Sequence, residues 1–73
     1  MQILENSILS AYDFVLFAFE NCHSEECVEQ HFESDKTEFV ATDYNGKQHL
    51  FFIDKEQRKF KYIGPYKPTN NSL

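Results

Sequence analysis

Cysteine is scarce in this sequence. Its 73 residues include two cysteines, Cys22 and Cys27, which stand five positions apart. Small secreted domains usually depend on a dense disulfide framework, and two cysteines are too few to build one. The cysteine content therefore favours a reducing, cytoplasmic location.

Long apolar runs are also missing. The longest uncharged run made up of apolar residues alone, residues 14–19, has six residues, whereas a membrane-spanning helix needs about 20. The N-terminus has no cationic start, and Asp13 interrupts what could have been the apolar core of a signal peptide. We therefore expect a soluble protein with no membrane partner.

Basic residues are in the minority, with seven Lys and Arg against twelve Asp and Glu, for a net charge of −5. This balance argues against a general binder of nucleic acid or anionic membranes. The charge is also polarised, because residues 1–43 carry −9 and residues 44–73 carry +4. The two halves either face each other within the fold or form a surface for a partner.

Glycine and proline are few, and all four lie in the second half of the chain. Residues 1–44 therefore contain no strong helix breaker. Apolar residues in this half recur at helical spacings of three and four, which predicts a helix over residues 7–21 with Asn6 or Ser7 as its N-cap. Residues 12–19 could alternatively form a buried strand, because aromatic and β-branched residues occur there on both parities. The residues of the predicted apolar stripe are Leu4, Ile8, Ala11, Tyr12, Val15, Phe19 and Cys22.

A second short helix is predicted to begin at Ser24, whose side chain can cap its first turn. Acidic residues in that turn suit the positive end of the helix dipole. One face of this helix would be apolar and the other acidic. The apolar face would hold Cys27, Val28, His31 and Phe32, and the acidic face would hold Glu25, Glu26, Glu29 and Glu33.

The second half of the chain predicts a three-stranded antiparallel meander. Asn45-Gly46 is typical of a type I′ hairpin turn, in which both central residues have positive φ. A two-residue loop would place residue 42 opposite 49 and residue 40 opposite 51. A second reversal at residues 54–57 would place residue 51 opposite 60.

This register predicts a sheet with apolar side chains on both faces. The core face would collect Val40, Thr42, Tyr44, His49, Phe51, Ile53, Phe60 and Tyr62. The second face would carry Phe39, Ala41, Leu50, Phe52 and Ile63 among polar residues. Monomeric proteins rarely leave such a cluster in water. We therefore expect an interaction surface that comprises Phe39, Leu50, Phe52, Ile63, Glu25 and Glu29.

The predicted fold is α+β, with an N-terminal segment of one or two helices packed on the three-stranded meander. We expect a single domain over residues 1–68 and a flexible tail over residues 69–73. A core of this size supplies only about 3–5 kcal/mol of net stability. Association with a second copy, as a homodimer, is therefore expected.

No motif in the sequence predicts catalysis or a cofactor. It contains no Gly-rich phosphate loop and no ordered spacing of nucleophile, histidine and acid. His23, Cys27 and His31 stand four residues apart, as zinc ligands on one helix could, but no second pair of ligands completes a site. Packing of small thiols beside a histidine explains the same pattern. We expect no catalytic, cofactor or metal residues and no enzyme activity.

The sequence favours a small acidic protein-interaction or regulatory module that binds itself and an unidentified protein. Its high content of Lys, Phe, Tyr, Asn and Ile is typical of AT-rich coding sequence, which favours a low-GC bacterium or one of its phages as the source. The alternative function is binding of single-stranded nucleic acid through the basic, aromatic final strand. Its contacts would be Arg58, Lys59 and Lys61.

Overall fold

The computed structural model describes residues 3–22 and 28–67. Within them, two helices and a four-stranded antiparallel sheet form an α+β fold, which confirms the predicted class and adds one strand to the meander. The predicted tail at residues 69–73 lies outside the described residues. The elements are β1 (Ile8–Ser10), α1 (Ala11–Asn21), α2 (Val28–Glu33), β2 (Glu38–Thr42), β3 (Gln48–Asp54) and β4 (Lys59–Pro65), and the sheet order is β1-β4-β3-β2.

The additional strand, β1, replaces the first turn of the predicted N-terminal helix. Ile8 and Ser10 pair with Lys61 and Lys59 of β4, so the backbone there finds its hydrogen-bond partners in the sheet. The helix begins after Ser10, whose Oγ accepts a hydrogen bond of 3.1 Å from the Asp13 N–H. The N-cap is therefore Ser10 and not Asn6 or Ser7. The alternative strand over residues 12–19 is wrong, because these residues lie in α1.

Helix α1 is rotated relative to the prediction. Its buried residues are Phe14, Phe17 and Ala18, whereas Tyr12 and Phe19 of the predicted stripe are exposed. The period of three to four fits two apolar stripes on opposite sides of this helix. The sheet selects the side with Phe14 and Phe17 because these rings contact the aromatic residues of β3 and β4.

The hairpin between β2 and β3 has a three-residue loop, residues 44–46, so the predicted type I′ turn is wrong. The Gly46 N–H donates to the Asp43 carbonyl at 3.0 Å, and the Asp43 N–H donates to the Lys47 carbonyl at 2.9 Å. Gly46 has φ +83°, and Asn45 is not among the described non-glycine residues with positive φ. This is the common arrangement of a turn followed by a left-handed glycine. The Asp43 carboxylate stabilises it by accepting from the Asn45 and Lys47 N–H groups, each at 2.9 Å.

The longer loop shifts the β2 register by one residue and therefore exchanges the two faces of β2. Phe39 pairs with Phe51 and packs against the core, and Ala41 is buried. Val40 and Thr42, predicted for the core, are exposed. Phe39 is consequently not on the second face, which corrects its assignment to the interaction surface.

The hairpin between β3 and β4 also departs from its predicted register, but by two residues. Phe60 pairs with Ile53 and Tyr62 pairs with Phe51. A shift of two keeps every side chain on its predicted face, because the side-chain period of a strand is two. A bulge at Leu50 then leaves Ile63 as an extra residue in β4, since Leu50 pairs with Gly64.

Both described helices pack on the same face of the sheet. Phe14 of α1 and Phe51 and Phe60 of the sheet are the largest fully buried side chains. The Phe14 ring stacks on Phe60 at a centroid distance of 4.1 Å. From α2, Phe32 is buried against Phe60, and the His31 ring stacks on Phe39 at 4.2 Å. Neither described helix is long and apolar enough to cross a membrane.

Candidate functional site

A network of buried and partly buried polar side chains lies at one end of the sheet. His49 on β3 and Tyr62 on β4 are 8% and 5% exposed, and His49 Nδ1 lies 2.7 Å from the Tyr62 hydroxyl. The other ring nitrogen, Nε2, lies 2.9 Å from Oδ2 of Asp43, the residue that opens the β2–β3 turn. The three side chains therefore form one chain of hydrogen bonds that links β4, β3 and the start of the β2–β3 turn.

The chemistry of the groups sets the direction of these hydrogen bonds. A carboxylate only accepts, so His49 Nε2 carries a hydrogen and donates it to Asp43. When the imidazole is neutral, the opposite nitrogen Nδ1 is an acceptor and the Tyr62 hydroxyl donates to it. Every member of the network then has a partner that suits it.

The surroundings move two pKa values in the network. The hydrogen bond from His49, together with the Lys47 and Asn45 N–H groups, holds the pKa of the Asp43 carboxyl below its usual value. Burial, aided by the negative charges of Glu5 and Asp43, raises the pKa of the Tyr62 phenol. Tyr62 therefore keeps its proton at neutral pH, which suits a hydrogen-bond donor and not an activated nucleophile.

The network borders a half-open cleft of about 250 Å³. Pockets for small molecules usually have about 300–1,000 Å³, so the cleft is small for such a ligand. Among the described residues, every buried side-chain nitrogen or oxygen already has a hydrogen-bond partner. The network thus works as an anchor between strands. The cleft is lined by Ile3, Phe17, Asn21, Asp43, Lys47, His49 and Tyr62.

This network predicts a loss of stability in acid. Because the pKa of Asp43 in the folded protein is below its ordinary value of 3.8, its contribution to stability is complete above about pH 5 and is lost as the pH falls through the lowered pKa. Urea unfolding between pH 2.5 and 7 measures this dependence. Asp43→Asn should be less stable at pH 7 and should lose less stability on acidification. If the free energy of unfolding fell equally with pH in the wild-type protein and in Asp43→Asn, the prediction would be contradicted.

The potential zinc ligands are not assembled in the described part of the chain. His23 and Cys27 lie outside the described residues. Cys22 is buried at the end of α1, and His31 belongs to the aromatic cluster through Phe39. Residues 3–22 and 28–67 contain no group of three or more His, Cys, Asp or Glu that could hold a metal ion.

Helix α1 presents an apolar surface to solvent, opposite its buried side. We call Tyr12, Val15, Leu16 and Phe19 the outer α1 face. Tyr12 and Phe19 are 74% and 75% exposed, Val15 is 38% exposed, and Leu16 is half-buried. These residues follow the spacing of one helical stripe, so they form a continuous patch and not scattered apolar residues. Asp13 and Glu20 flank it on one side.

Neither helix among the described residues covers the other side of the sheet, which we call the open sheet face. Leu50 and Ile63 are partly exposed there, and Phe52 is 38% exposed. These three were predicted for the interaction surface, and the structure places them on one face. Register pairing aligns Ile8, Lys61, Phe52 and Glu38 in one row across the four strands. The open sheet face comprises Ile8, Glu38, Val40, Leu50, Phe52, Asp54, Lys59, Lys61 and Ile63.

The remaining predicted contacts are dispersed. Glu25 lies outside the described residues, and Glu29 on α2 accepts a hydrogen bond from the Arg58 guanidinium. That guanidinium also lies over the Phe32 ring, 4.6 Å from its centroid, so Arg58 contacts its own protein. Lys59 and Lys61 project onto the open sheet face, whereas the rings of Phe60 and Tyr62 between and after them are buried.

Two features were missed from the sequence. The outer α1 face was assigned to the core because either side of α1 satisfies the helical period. The link from His49 to Asp43 and Tyr62 depends on both hairpin registers, although His49 itself was placed on the core face.

No protein-family model matches this chain, and neither a curated protein nor a solved structure shows a significant match to it.

Proposed function

We propose that this protein is a non-catalytic protein-interaction module that acts as a homodimer. The observation that carries the proposal is the outer α1 face. Monomeric soluble proteins rarely leave a contiguous apolar patch in contact with water. Helix α1 buries only the side that faces the sheet, and its other side holds the two most exposed aromatic rings among the described residues.

A second copy of the chain is the occupant that the surface favours. An isologous contact needs one patch that can meet itself, and a straight apolar stripe on a helix meets that condition. Stable interfaces bury about 800 Å² per partner, and an aromatic side chain contributes about 150–250 Å² at most. Two rings that are about three-quarters exposed, together with Val15 and Leu16, supply less than this area, so the contact would belong to the small and weak class of interfaces. We therefore expect a dimer with a dissociation constant in the micromolar range.

Sedimentation of the wild-type protein between about 1 and 300 µM, a range set by the expected weak interface, should show a reversible monomer–dimer equilibrium. Tyr12→Lys should weaken the dimer at least about tenfold, because a charge then enters the apolar contact. Tyr44→Lys is the matched control, since Tyr44 is 53% exposed in the β2–β3 loop, outside the outer α1 face. Circular dichroism should show the same fold in all three proteins.

A wild-type protein that stays monomeric over this range would overturn the proposal. The alternative of single-stranded nucleic-acid binding would use Lys59 and Lys61 of β4, which pair with Asp54 and Phe52 of β3 on the open sheet face. Binding of a fluorescent oligonucleotide that weakens steeply with salt, and less steeply in a Lys59→Ala, Lys61→Ala variant, would favour that alternative.

A further inference from the structure

We propose that helix α2 opens from the sheet as a separate unit and that Arg58, in the loop between β3 and β4, holds it closed. This inference goes beyond the proposed function, because it concerns neither the outer α1 face nor a partner. It assigns a conformational role to a residue that the sequence suggested only as a contact for nucleic acid.

Helix α2 is too short to be stable through its own hydrogen bonds. It has six residues, Val28–Glu33, whereas an isolated helix of fewer than about 12–15 residues is marginal in water. Its buried residue is Phe32, and the His31 ring adds a stacking contact with Phe39. An element that buries so little apolar surface opens at a lower free energy than the core does. The closed position of α2 therefore depends on its side-chain contacts.

The backbone of Arg58 has an unfavourable conformation. Its φ is +55°, in the left-handed region that residues with a Cβ rarely adopt, and Asn6 is the other described non-glycine residue with positive φ. Glycine would adopt this conformation without the steric cost. The loop that joins Asp54 to Lys59 thus ends with an arginine where its backbone favours glycine. The contacts of the Arg58 side chain offset that cost.

The Arg58 side chain contacts α2 at two points. Its guanidinium donates a hydrogen bond to the Glu29 carboxylate and lies over the Phe32 ring, 4.6 Å from the ring centroid. Phe32 also contacts Phe60 of the core, at a centroid distance of 5.0 Å. Arg58 therefore touches both an acidic residue of α2 and the ring by which α2 is buried. Both contacts exist only while α2 is closed.

A second cation of the same loop acts just after α2. The Lys55 ammonium donates a hydrogen bond to the Ser34 carbonyl, so two basic side chains of one loop bind two polar groups in and next to the helix. The side chains of Arg58 and Glu29 are 54% and 58% exposed. Salt screens attraction between exposed charges. The closed position should therefore weaken as the ionic strength rises.

Hydrogen exchange measured by NMR on Arg58→Gly tests this proposal. The substitution removes the contacts with Glu29 and Phe32 and allows the positive φ without steric cost. The amide hydrogens in the last turn of α2 should exchange at least about fivefold faster, since an exposed ion pair and a cation–π contact together account for such a change. Those of β3 should change by less than about twofold, because the relieved backbone offsets the lost contacts.

Glu29→Gln changes the other partner of the ion pair and leaves the loop as it is. It should speed exchange in α2 by a smaller factor, about twofold. The matched control is Glu33→Gln, which removes a charge from an exposed position of the same helix and should not speed exchange there. Sodium chloride at about 1 M, where charges are screened within about 3 Å, should speed exchange in α2 of the wild-type protein and have a smaller effect in Arg58→Gly.

Three results would overturn the inference. If Arg58→Gly sped exchange equally in α2 and β3, α2 would open only when the whole protein unfolds. If exchange in α2 did not change, Arg58 would not hold the helix. Wild-type amide hydrogens of α2 that exchange as slowly as those of β3 would exclude separate opening. All proteins are compared at one concentration, so dimerisation contributes equally, and none of these results bears on the proposed homodimer.

Discussion

Phe14→Ala is expected to unfold most of the protein at 25 °C. The Phe14 side chain is fully buried, stacks on Phe60 and meets the rings of Phe39 and Phe51 edge-on at centroid distances of 5.3 and 5.2 Å. Replacing a buried Phe with Ala typically costs about 3–5 kcal/mol. A domain of this size has a net stability of about 3–5 kcal/mol from its core. The single substitution therefore removes most of the free energy of unfolding.

Urea denaturation followed by circular dichroism measures this loss. The matched control is Phe19→Ala, which removes the same side chain from the exposed side of the same helix. Both should be compared in a Tyr12→Lys background, because dimerisation makes stability depend on concentration. In that background Phe19→Ala should change the stability by no more than about 0.5–1 kcal/mol. If the free energy of unfolding of Phe14→Ala were within about 1 kcal/mol of that of its parent, Phe14 would not be at the centre of the core.

The contrast between Phe14 and Phe19 shows what periodicity can and cannot predict. A spacing of three and four residues identified α1 as a helix. It did not identify the buried side, because residues 14, 17 and 18 satisfy the period as well as residues 12, 15 and 19. The choice between the sides is made by contacts with β3 and β4, which are more than 30 positions away in the sequence. An error of this kind is expected wherever a helix is apolar on two sides.

The start of α1 shows a similar limit. Asn6, Ser7 and Ser10 all have side chains that can cap a helix, so capping chemistry alone left three starting points. Pairing of Ile8 and Ser10 with β4 decides among them, because it keeps the chain extended up to Ser10. A strand of three residues has too little alternation to be recognised in the sequence.

The polar network could be predicted only in part. His49 was placed correctly on the core face, since the two-residue error in the β3–β4 register keeps the parity of the strand. Its partners depend on details that a pattern does not contain. The Asp43 carboxylate reaches His49 because the loop has three residues, and Asp43 itself stabilises that loop through the Asn45 and Lys47 N–H groups.

The register of the β2–β3 hairpin leads to the second large prediction. Phe39→Thr should lower the free energy of unfolding by about 2–4 kcal/mol, because it removes a ring that stacks on Phe51 at 5.3 Å and on His31 at 4.2 Å and places a hydroxyl in an aromatic environment. The neighbouring Val40→Thr should cost no more than about 0.5–1 kcal/mol, since Val40 is exposed. Threonine has a high strand propensity, so both substitutions preserve the backbone preference of β2.

Denaturant unfolding of the two variants distinguishes the two possible hairpin registers. The three-residue loop directs Phe39 inward and Val40 outward, whereas a type I′ turn would reverse both. A larger loss of stability for Val40→Thr than for Phe39→Thr would therefore require the two-residue loop and the face assignment that goes with it. The same result would also separate Asp43 from His49, because the register that places Phe39 in the core is the one that brings the Asp43 carboxylate to the imidazole. The loop length thus determines both the content of the core and the polar network at its edge.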